Sequence, residues 1–290
     1  MSQDVSHEQT NTYIIDPENA LEMDRLIEQG HLITEGLGEA FSEGDAIVSS
    51  QIMLDIGCGP GEWIRYVAKK FPQKKLIGID ISHIEVEYAQ VCAEAERLAN
   101  VEFLAMNALE PLKFPDASFD LVNGRLISGF MKRDAWLPLL KECLRILRPG
   151  GTLRITEGET LSITGSSTAI AMSELTVKAL WKAGMGFSPN GPSAAYLPKV
   201  LQFFRDAGYQ DIRMQPHVID CSFGSAYHQA SLKNGALFYK NMKPFLVEKY
   251  RVVSARKLEQ MAEQLHRDQL SPDFACLWYW LTISGRRPNS

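Results

Sequence analysis

A glycine-rich bend set between a short apolar run and a helical pattern constrains this chain more than any other feature. Ile52-Met53-Leu54-Asp55-Ile56 leads into Gly57-Cys58-Gly59-Pro60-Gly61, after which Trp63, Ile64, Val67, Ala68 and Phe71 recur at the spacing of one helix face. Glycines at such a bend permit a tight turn and let a ligand approach the main chain closely. The amino end of the following helix offers unpaired N–H groups and a partial positive charge. Taken alone, the bend also reads as a plain strand-to-helix turn.

Its surroundings sharpen the reading. Further strands are predicted at 75–80, 101–105, 119–122 and 152–156, and a helix at 84–98. The stripe Trp136, Leu137, Leu140, Leu144 and Leu147 predicts another helix, broken by Pro149-Gly150-Gly151. Strands alternating with helices imply an α/β chain whose parallel sheet is covered on both faces and binds ligands at the carboxyl ends of its strands. Asp80 closes the second strand, 19 residues beyond Gly61. A carboxylate there accepts the hydroxyl hydrogens of a ribose. A dinucleotide fingerprint would have a third glycine three residues after Gly59. Glu62 stands there instead and repels a pyrophosphate, so a nicotinamide or flavin oxidoreductase is disfavoured.

Outside this core the pattern loosens. Asp16-Pro17 reads as a helix start, the helix running through Leu21, Leu26 and Ile27 to about Gly30, with a short stretch through Gly36, Gly38 and Gly44 beyond it. Downstream, helices are expected at 161–183 and 197–207, flanking a Gly/Pro-rich loop at 184–192. A strand at 212–221 follows, in which Pro216 marks a bulge or an edge. Two long helical stretches, 226–249 and 252–270, precede an apolar and aromatic run at 274–283 that reads as a buried strand.

Charge and cysteine usage exclude several classes. Residues 1–50 hold eleven acids against one base, Arg25, a net −10, which leaves +5 on the rest of a chain whose total is −5. No Lys/Arg-rich stripe suited to a phosphate backbone occurs, so no nucleic-acid partner is expected. No run of about 18 apolar residues predicts a membrane span. The polar residues 1–10 lack the apolar segment of a secretory signal and read as a frayed tail. Cys58, Cys92, Cys143, Cys221 and Cys276 are scattered, without a CxxC pair or a Cys/His cluster. That fits reduced thiols in a cytoplasmic protein and no metal site.

Four segments together resemble a known family. Leu54-Asp55-Ile56-Gly57-Cys58-Gly59-Pro60-Gly61 resembles the first motif of class I S-adenosylmethionine-dependent methyltransferases, and Gly78-Ile79-Asp80-Ile81-Ser82 the second. Phe114-Pro115-Asp116-x-x-Phe119-Asp120-Leu121-Val122 resembles the fourth-strand signature, and Leu147-Arg148-Pro149-Gly150-Gly151-Thr152-Leu153 the turn into the fifth strand. They lie in order and at family spacing over residues 52–157, and are most similar to the branch acting on quinones, sterols and other small metabolites. The resemblance implies a Rossmann-like fold: a mostly parallel seven-stranded sheet with an antiparallel last strand, plus a helical cap. The corresponding division is an N-terminal helical lid at 1–50, a cofactor-binding core at 51–160, and cap insertions with the last strands at 161–290.

It also implies roles for residues. Backbone groups at Gly57, Cys58 and Gly59 would face the methionine part of S-adenosylmethionine, and Asp55 would anchor its amino group. Asp80 would hold the ribose and Ile81 would pack on the adenine. The family often has an acid and a small residue after the third strand. Here Asn107-Ala108 stands there, with the Asn107 carbonyl accepting from the adenine amino group and the Ala108 N–H donating to the ring. The backbone of Asn123, Gly124 and Arg125 would line the cofactor and the reacting methyl group. The Arg125 side chain has two readings, a contact to the cofactor carboxylate or substrate, or an ion pair with the acidic N-terminal segment. Tyr13 would bond the cofactor carboxylate or, alternatively, staple the first helix.

The implied activity is methyl transfer to a small, apolar or aromatic metabolite, with a homo-oligomer left open. Met172, Trp181, Met185, Phe187, Tyr196, Phe223, Tyr227, Phe238 and Tyr239 could line the acceptor site or fill ordinary helix cores. His31, His217, His228, Glu157 and Glu159 could reach it, but the residues single out no catalytic base. Two other functions stay open: a protein of this scaffold that binds the cofactor yet acts as a cyclase or binding module, and an RNA or protein methyltransferase. Against the nucleic-acid form, Asn123-Gly124-Arg125-Leu126 departs from the Asn/Asp-Pro-Pro-Tyr/Phe sequence of base-amine methyltransferases.

Overall fold

The computed structural model describes residues 12–16, 19–38, 46–159 and 163–289. Its centre is built from β1 (Ile52–Ile56), β2 (Lys75–Asp80), β3 (Val101–Ala105), β4 (Phe119–Arg125) and β5 (Leu147–Gly158), all parallel. β8 (Cys276–Arg286) pairs antiparallel with β5, and β7 (Gln210–Asp220) pairs antiparallel with β8 at the sheet edge. The order runs β3-β2-β1-β4-β5-β8, with β7 outermost. A two-residue β6 (Ile163–Thr164) also joins β8, past the end of β5, so the described sheet has eight strands rather than the seven expected. The one antiparallel strand is the last in the chain, as the family resemblance implies.

Helices cover both faces because the strands between them are apolar on both faces. β1 and β4 sit centrally, and Leu54, Leu121 and Val122 are fully buried. On one face α3 (Glu62–Lys70) and α4 (His83–Ala95) bury Trp63, Ile64, Val67 and Ala89 against Met53, Leu76 and Phe103. On the other, α5 (Trp136–Ile146) and α7 (Tyr196–Asp206) pack Trp136, Leu140, Val200 and Phe204 into the larger core. Within the fourth-strand motif, Asp120 accepts from the N–H groups of Gln51 (2.9 Å) and Ile52 (2.8 Å) and from Arg148 (2.7 Å). That motif acid therefore fixes the lower end of β1 beside β4.

Several boundaries differ from the expectation. α1 (Ala20–Gly36) is capped by Asn19, whose side chain accepts from the Leu21 N–H at 3.0 Å; it starts after Asp16 and runs past Gly30. Pro17 and Gly44 lie outside the described residues. A one-turn α2 (Ala46–Ser49) precedes β1. Pro149-Gly150-Gly151 does not end a helix ahead of a separate strand. It forms a bulge inside β5, across which the pairing jumps from Phe119↔Leu147 to Leu121↔Thr152. Pro216 sits in register opposite Leu281 on the edge strand, while the irregularity falls at Gln210–Arg213 instead.

The helix expected from 161 is α6 (Ser167–Lys182), started by the Ser166 hydroxyl accepting from the Ala169 N–H at 3.1 Å. Residues 161 and 162 lie outside the described set. The stretch 226–249 divides into α8 (His228–Asn241) and a wide π-type turn, Pro244–Lys249, because proline cannot supply the N–H that a continuous helix needs. α9 (Ala255–Gln269) begins at its Ser254 cap.

Candidate active site

At the carboxyl ends of β1–β5, roofed by α1, α6 and α8, lies a cavity of about 340 Å³. Its cofactor half is the glycine bend. Gly57, Gly59 and Gly61 have φ of 63°, 54° and 79°, a left-handed backbone that disfavours side chains. A Cβ on Gly57 would come within 2.9 Å of Phe130, and one on Gly61 within 2.8 Å of Phe103. The bend is pinned to β2: the Cys58 N–H donates to the Ile79 carbonyl at 3.0 Å, and the Gly59 N–H to Asp80 Oδ2 at 3.0 Å.

Asp80 also accepts from the Ser82 N–H at 3.0 Å, and it borders the cavity. Burial pushes its carboxyl above the usual range, while the N–H donors of Ser82, Gly59 and Ile81 pull it back. Three of the carboxylate's roughly four lone-pair sites are thus occupied, leaving acceptor capacity for a ribose hydroxyl. Asp55, 3% exposed, accepts from Asn123 Nδ2 at 2.7 Å, and Asn123 in turn accepts from Arg154 at 2.9 Å. Ile81, Asn107 and Ala108 border the same half.

Four residues sit differently from the simplest expectation. Asn123 does not follow β4 but lies within it, fully buried and away from the cavity; it links Asp55 to Arg154 rather than lining a cofactor. Asn107 Oδ1 already accepts from the Leu109 N–H at 3.0 Å, so its side chain closes a local turn. Tyr13 borders the cavity, but its hydroxyl donates to Glu22 Oε1 at 2.7 Å. Arg125 borders it too, and donates to Thr34 Oγ1 at 2.8 Å and the Gly30 carbonyl at 3.5 Å, both on α1.

Sequence reasoning missed Glu85, which is 4% exposed and borders the cavity; a Cβ on Gly59 would stand 3.2 Å from its Oε2. The signal was available in Ser82-x-x-Glu85, a helix-capping pattern in which the Ser82 hydroxyl accepts from the Glu85 N–H at 3.3 Å. The field that these acids create is visible at Cys58. Burial first, and then the charges of Asp80, Asp55 and Glu85, push its thiol well above the ordinary value. A negative pocket floored by bare backbone suits an ammonium, a sulfonium and ribose hydroxyls. It does not suit phosphates. The residues present therefore fit S-adenosylmethionine.

The acceptor half is apolar. Thr176, Val177 and Leu180 of α6 border it, together with Phe238 and Tyr239 of α8 and Tyr196 of α7. Cys276, Trp278 and Trp280 border it at alternate positions of β8. Of the nine cap candidates, Tyr196, Phe238 and Tyr239 face the cavity. Met172 and Met185 are fully interior, and Phe187 and Tyr227 pack against the cores. Trp181 and Phe223 are exposed, with Arg133 stacked 3.9 Å over the Trp181 ring.

None of the histidines considered reaches the cavity. His31 is exposed on α1 beside Glu35, His217 bonds the Thr282 hydroxyl at 3.1 Å, and His228 is buried between Phe223 and Phe274. Glu159 borders the cavity but is engaged with the Ser193 hydroxyl and the Leu197 N–H, so it caps α7. The roof is tied by a buried cluster. Glu22 accepts from Arg25 (2.6 and 2.9 Å), from Tyr13 and from Asn241 (2.8 Å), and Arg25 donates to Asn234 (3.3 Å). Those contacts join α1 to α8.

Fold and site together define an α/β protein whose pocket, at the switch between β1 and β4, fits a cationic adenosyl ligand without phosphates. The model of a methyltransferase domain matches residues 53–151. The demethylmenaquinone methyltransferase of Lactococcus lactis is 37% identical over 100 residues, 34% of this chain and 38% of that one. Its counterpart from Geobacillus stearothermophilus is 29% identical over 175 residues, 57% of this chain and 73% of that one. Thus the matched region spans well under half of the first relative and nearly three-quarters of the second. A solved phosphoethanolamine N-methyltransferase 2 of Haemonchus contortus shares the fold, with TM-score 0.53 and 19% identity over 92% of this chain and 57% of that chain. Residues 53–151 thus carry a methyltransferase domain, and the pocket it contributes to fits S-adenosylmethionine.

Proposed function

We propose that the chain transfers the methyl group of S-adenosylmethionine to a small, uncharged, apolar or aromatic acceptor of the prenylated-quinol kind, the class that the relatives' names indicate. The observation that carries this reading is the acceptor half of the cavity. Trp278, Trp280, Phe238 and Leu180 present apolar surface there. Of the two arginines that border the cavity, Arg25 is committed to Glu22 and Arg125 to Thr34 and the Gly30 carbonyl on α1, while Glu159 caps α7. An acceptor bearing phosphate or carboxylate would lose its hydration and would have to draw Arg125 away from α1.

The bound cofactor supplies an already activated methyl group. Asp80 and the Gly57–Gly61 bend would hold its ribose and main body, and Asp55 and Glu85 its ammonium. Ile81, Asn107 and Ala108 would pack against the adenine, and Tyr13 and Arg125 would close the lid side. The protein's remaining task is to place a nucleophile in line at contact distance and exclude water. α1 and α8, tied through Glu22 and Arg25, supply the cover.

The test is mass-spectrometric detection of methyl transfer to short-chain demethylmenaquinol, with phosphoethanolamine and free amino acids as comparators. The expected result is a methylated quinol alone. Methylation of the charged acceptors in its place would overturn the reading.

A further inference from the structure

One buried acid near the cavity is left without a role by cofactor binding. Glu157 stands near the carboxyl end of β5 and is 1% exposed. Its Oε1 accepts from the Ser128 N–H at 2.9 Å and its Oε2 from the Ser128 hydroxyl at 2.7 Å. Ser128 itself borders the cavity, in the 3₁₀ turn Ile127–Gly129 that follows β4. Among the described residues no lysine, arginine or histidine pairs with this carboxylate. The titratable groups that face it are Glu159, two positions further along the chain, and Tyr196 of α7.

The location matters as much as the bonding. In the sheet order β3-β2-β1-β4-β5-β8, the cofactor half of the cavity lies over β1 to β3 and the acceptor half beside β5 and β8. The turn after β4 falls between them, where donor and acceptor must meet. A serine at the cavity border whose hydroxyl bonds a buried carboxylate without a cationic partner is arranged to take a proton there.

We propose that Ser128 and Glu157 form a proton relay that deprotonates the acceptor, and that the acceptor therefore carries an acidic hydroxyl of the phenol or hydroquinone type. This rests on the methyltransferase reading above and deepens it. The acceptor's hydroxyl proton passes to Ser128 Oγ while the proton of Ser128 passes to Glu157 Oε2. The new bond to the methyl carbon forms at that oxygen, or at a ring carbon conjugated with it whose own proton then moves to the oxygen, as the methyl–sulfur bond breaks with its electron pair remaining on sulfur. One positive and one negative charge disappear together, leaving a neutral thioether and a neutral carboxylic acid; the proton on Glu157 returns to solvent after product leaves. Burial raises the Glu157 carboxyl to about 7, against the pull of its Ser128 and Ile127 donors, so its proton affinity suits a phenol near neutral pH.

Two measurements test the relay. The first needs no acceptor: carbon-13 NMR of glutamate-labelled protein saturated with S-adenosylhomocysteine. One carboxyl resonance should titrate near 7 and be absent from Glu157→Gln. A Glu157 resonance titrating near the ordinary value of about 4.3 would overturn the relay. The second is the pH dependence of methyl transfer to short-chain demethylmenaquinol. Wild-type kcat should rise with pH through about 7. Glu157→Gln should lower kcat by roughly 10²- to 10⁴-fold with little change in KM and abolish that limb. Ser128→Ala should fall between the two. S-adenosylhomocysteine affinity should be unchanged in both variants, showing the fold intact. An unaltered limb in both would refute the relay. Failure of wild-type protein to methylate the quinol would count against the acceptor class, whereas the NMR titration would still decide the relay.

Discussion

Arg25→Met should be among the most damaging single substitutions in the roof of the cavity. Glu22 is 0% exposed and Arg25 3% exposed. The substitution keeps much of the apolar stem but removes the Nε and Nη2 donors held 2.9 and 2.6 Å from the Glu22 carboxylate. Tyr13 and Asn241 remain as donors at 2.7 and 2.8 Å, so the carboxylate keeps hydrogen bonds but loses its counter-charge. Asn234 loses its partner, and the cation resting 5.6 Å over Phe238 disappears. Breaking a buried pair on one side costs about 3–5 kcal/mol. For a chain of this size that is roughly 5–8 °C in Tm. Urea unfolding of Glu22→Gln, Arg25→Met and the double variant provides the assay. The double variant should recover about 1–3 kcal/mol relative to the sum of the two single losses, because it leaves no unpaired buried charge. If α1 undocks separately from the rest, the loss should appear as faster amide exchange in α1. A loss under about 1 kcal/mol with unchanged exchange, or strictly additive singles, would refute the argument.

Three further outcomes follow from the same geometry. Asp80→Asn should weaken S-adenosylhomocysteine binding by about 1.5–3 kcal/mol, roughly 10- to 150-fold, because a charged acceptor becomes neutral; calorimetric titration measures it. Gly61→Ala should cost about 1–3 kcal/mol in chemical unfolding, since its φ of 79° and the 2.8 Å approach to Phe103 leave no relaxed place for a Cβ. Glu157 binds its proton more tightly folded than unfolded, so the stability that it contributes is present below the unfolded value of 4.5 and lost as pH rises through about 7. Between pH 5 and 8 wild-type protein should therefore lose on the order of 3 kcal/mol relative to Glu157→Gln, read from parallel unfolding curves.

The cofactor half of the site is local in the chain and was legible there. Gly57, Gly59 and Gly61 follow a strand directly, and Asp80 ends the next one, so pattern alone places them together. Glu85 was equally local but hid inside a capping pattern. The acceptor half depends on long-range pairing, to which periodicity is blind. The unbroken apolar run of β8 gives no sign that Cys276, Trp278 and Trp280 face one side of the strand, since neighbours of either parity are also hydrophobic. Ser128 and Glu157 are 29 residues apart and meet only because β4 and β5 are adjacent. The cluster of Glu22, Arg25, Asn234 and Asn241 spans more than 200 residues, and nothing in the acidic N-terminal segment marks Glu22 as the acid destined for burial. Asn123 was misplaced for a smaller reason. β4 runs three residues further than its apolar core suggests, which carries Asn123 into the sheet.

Isothermal calorimetry of the purified chain bears most directly on the identity of the pocket. S-adenosylmethionine and S-adenosylhomocysteine should each bind at one site per chain, with NAD(H) producing no heat at the same concentrations. Saturable binding of the dinucleotide, or silence toward both adenosyl ligands, would contradict a site made of bare backbone, a ribose-facing acid and a negative field.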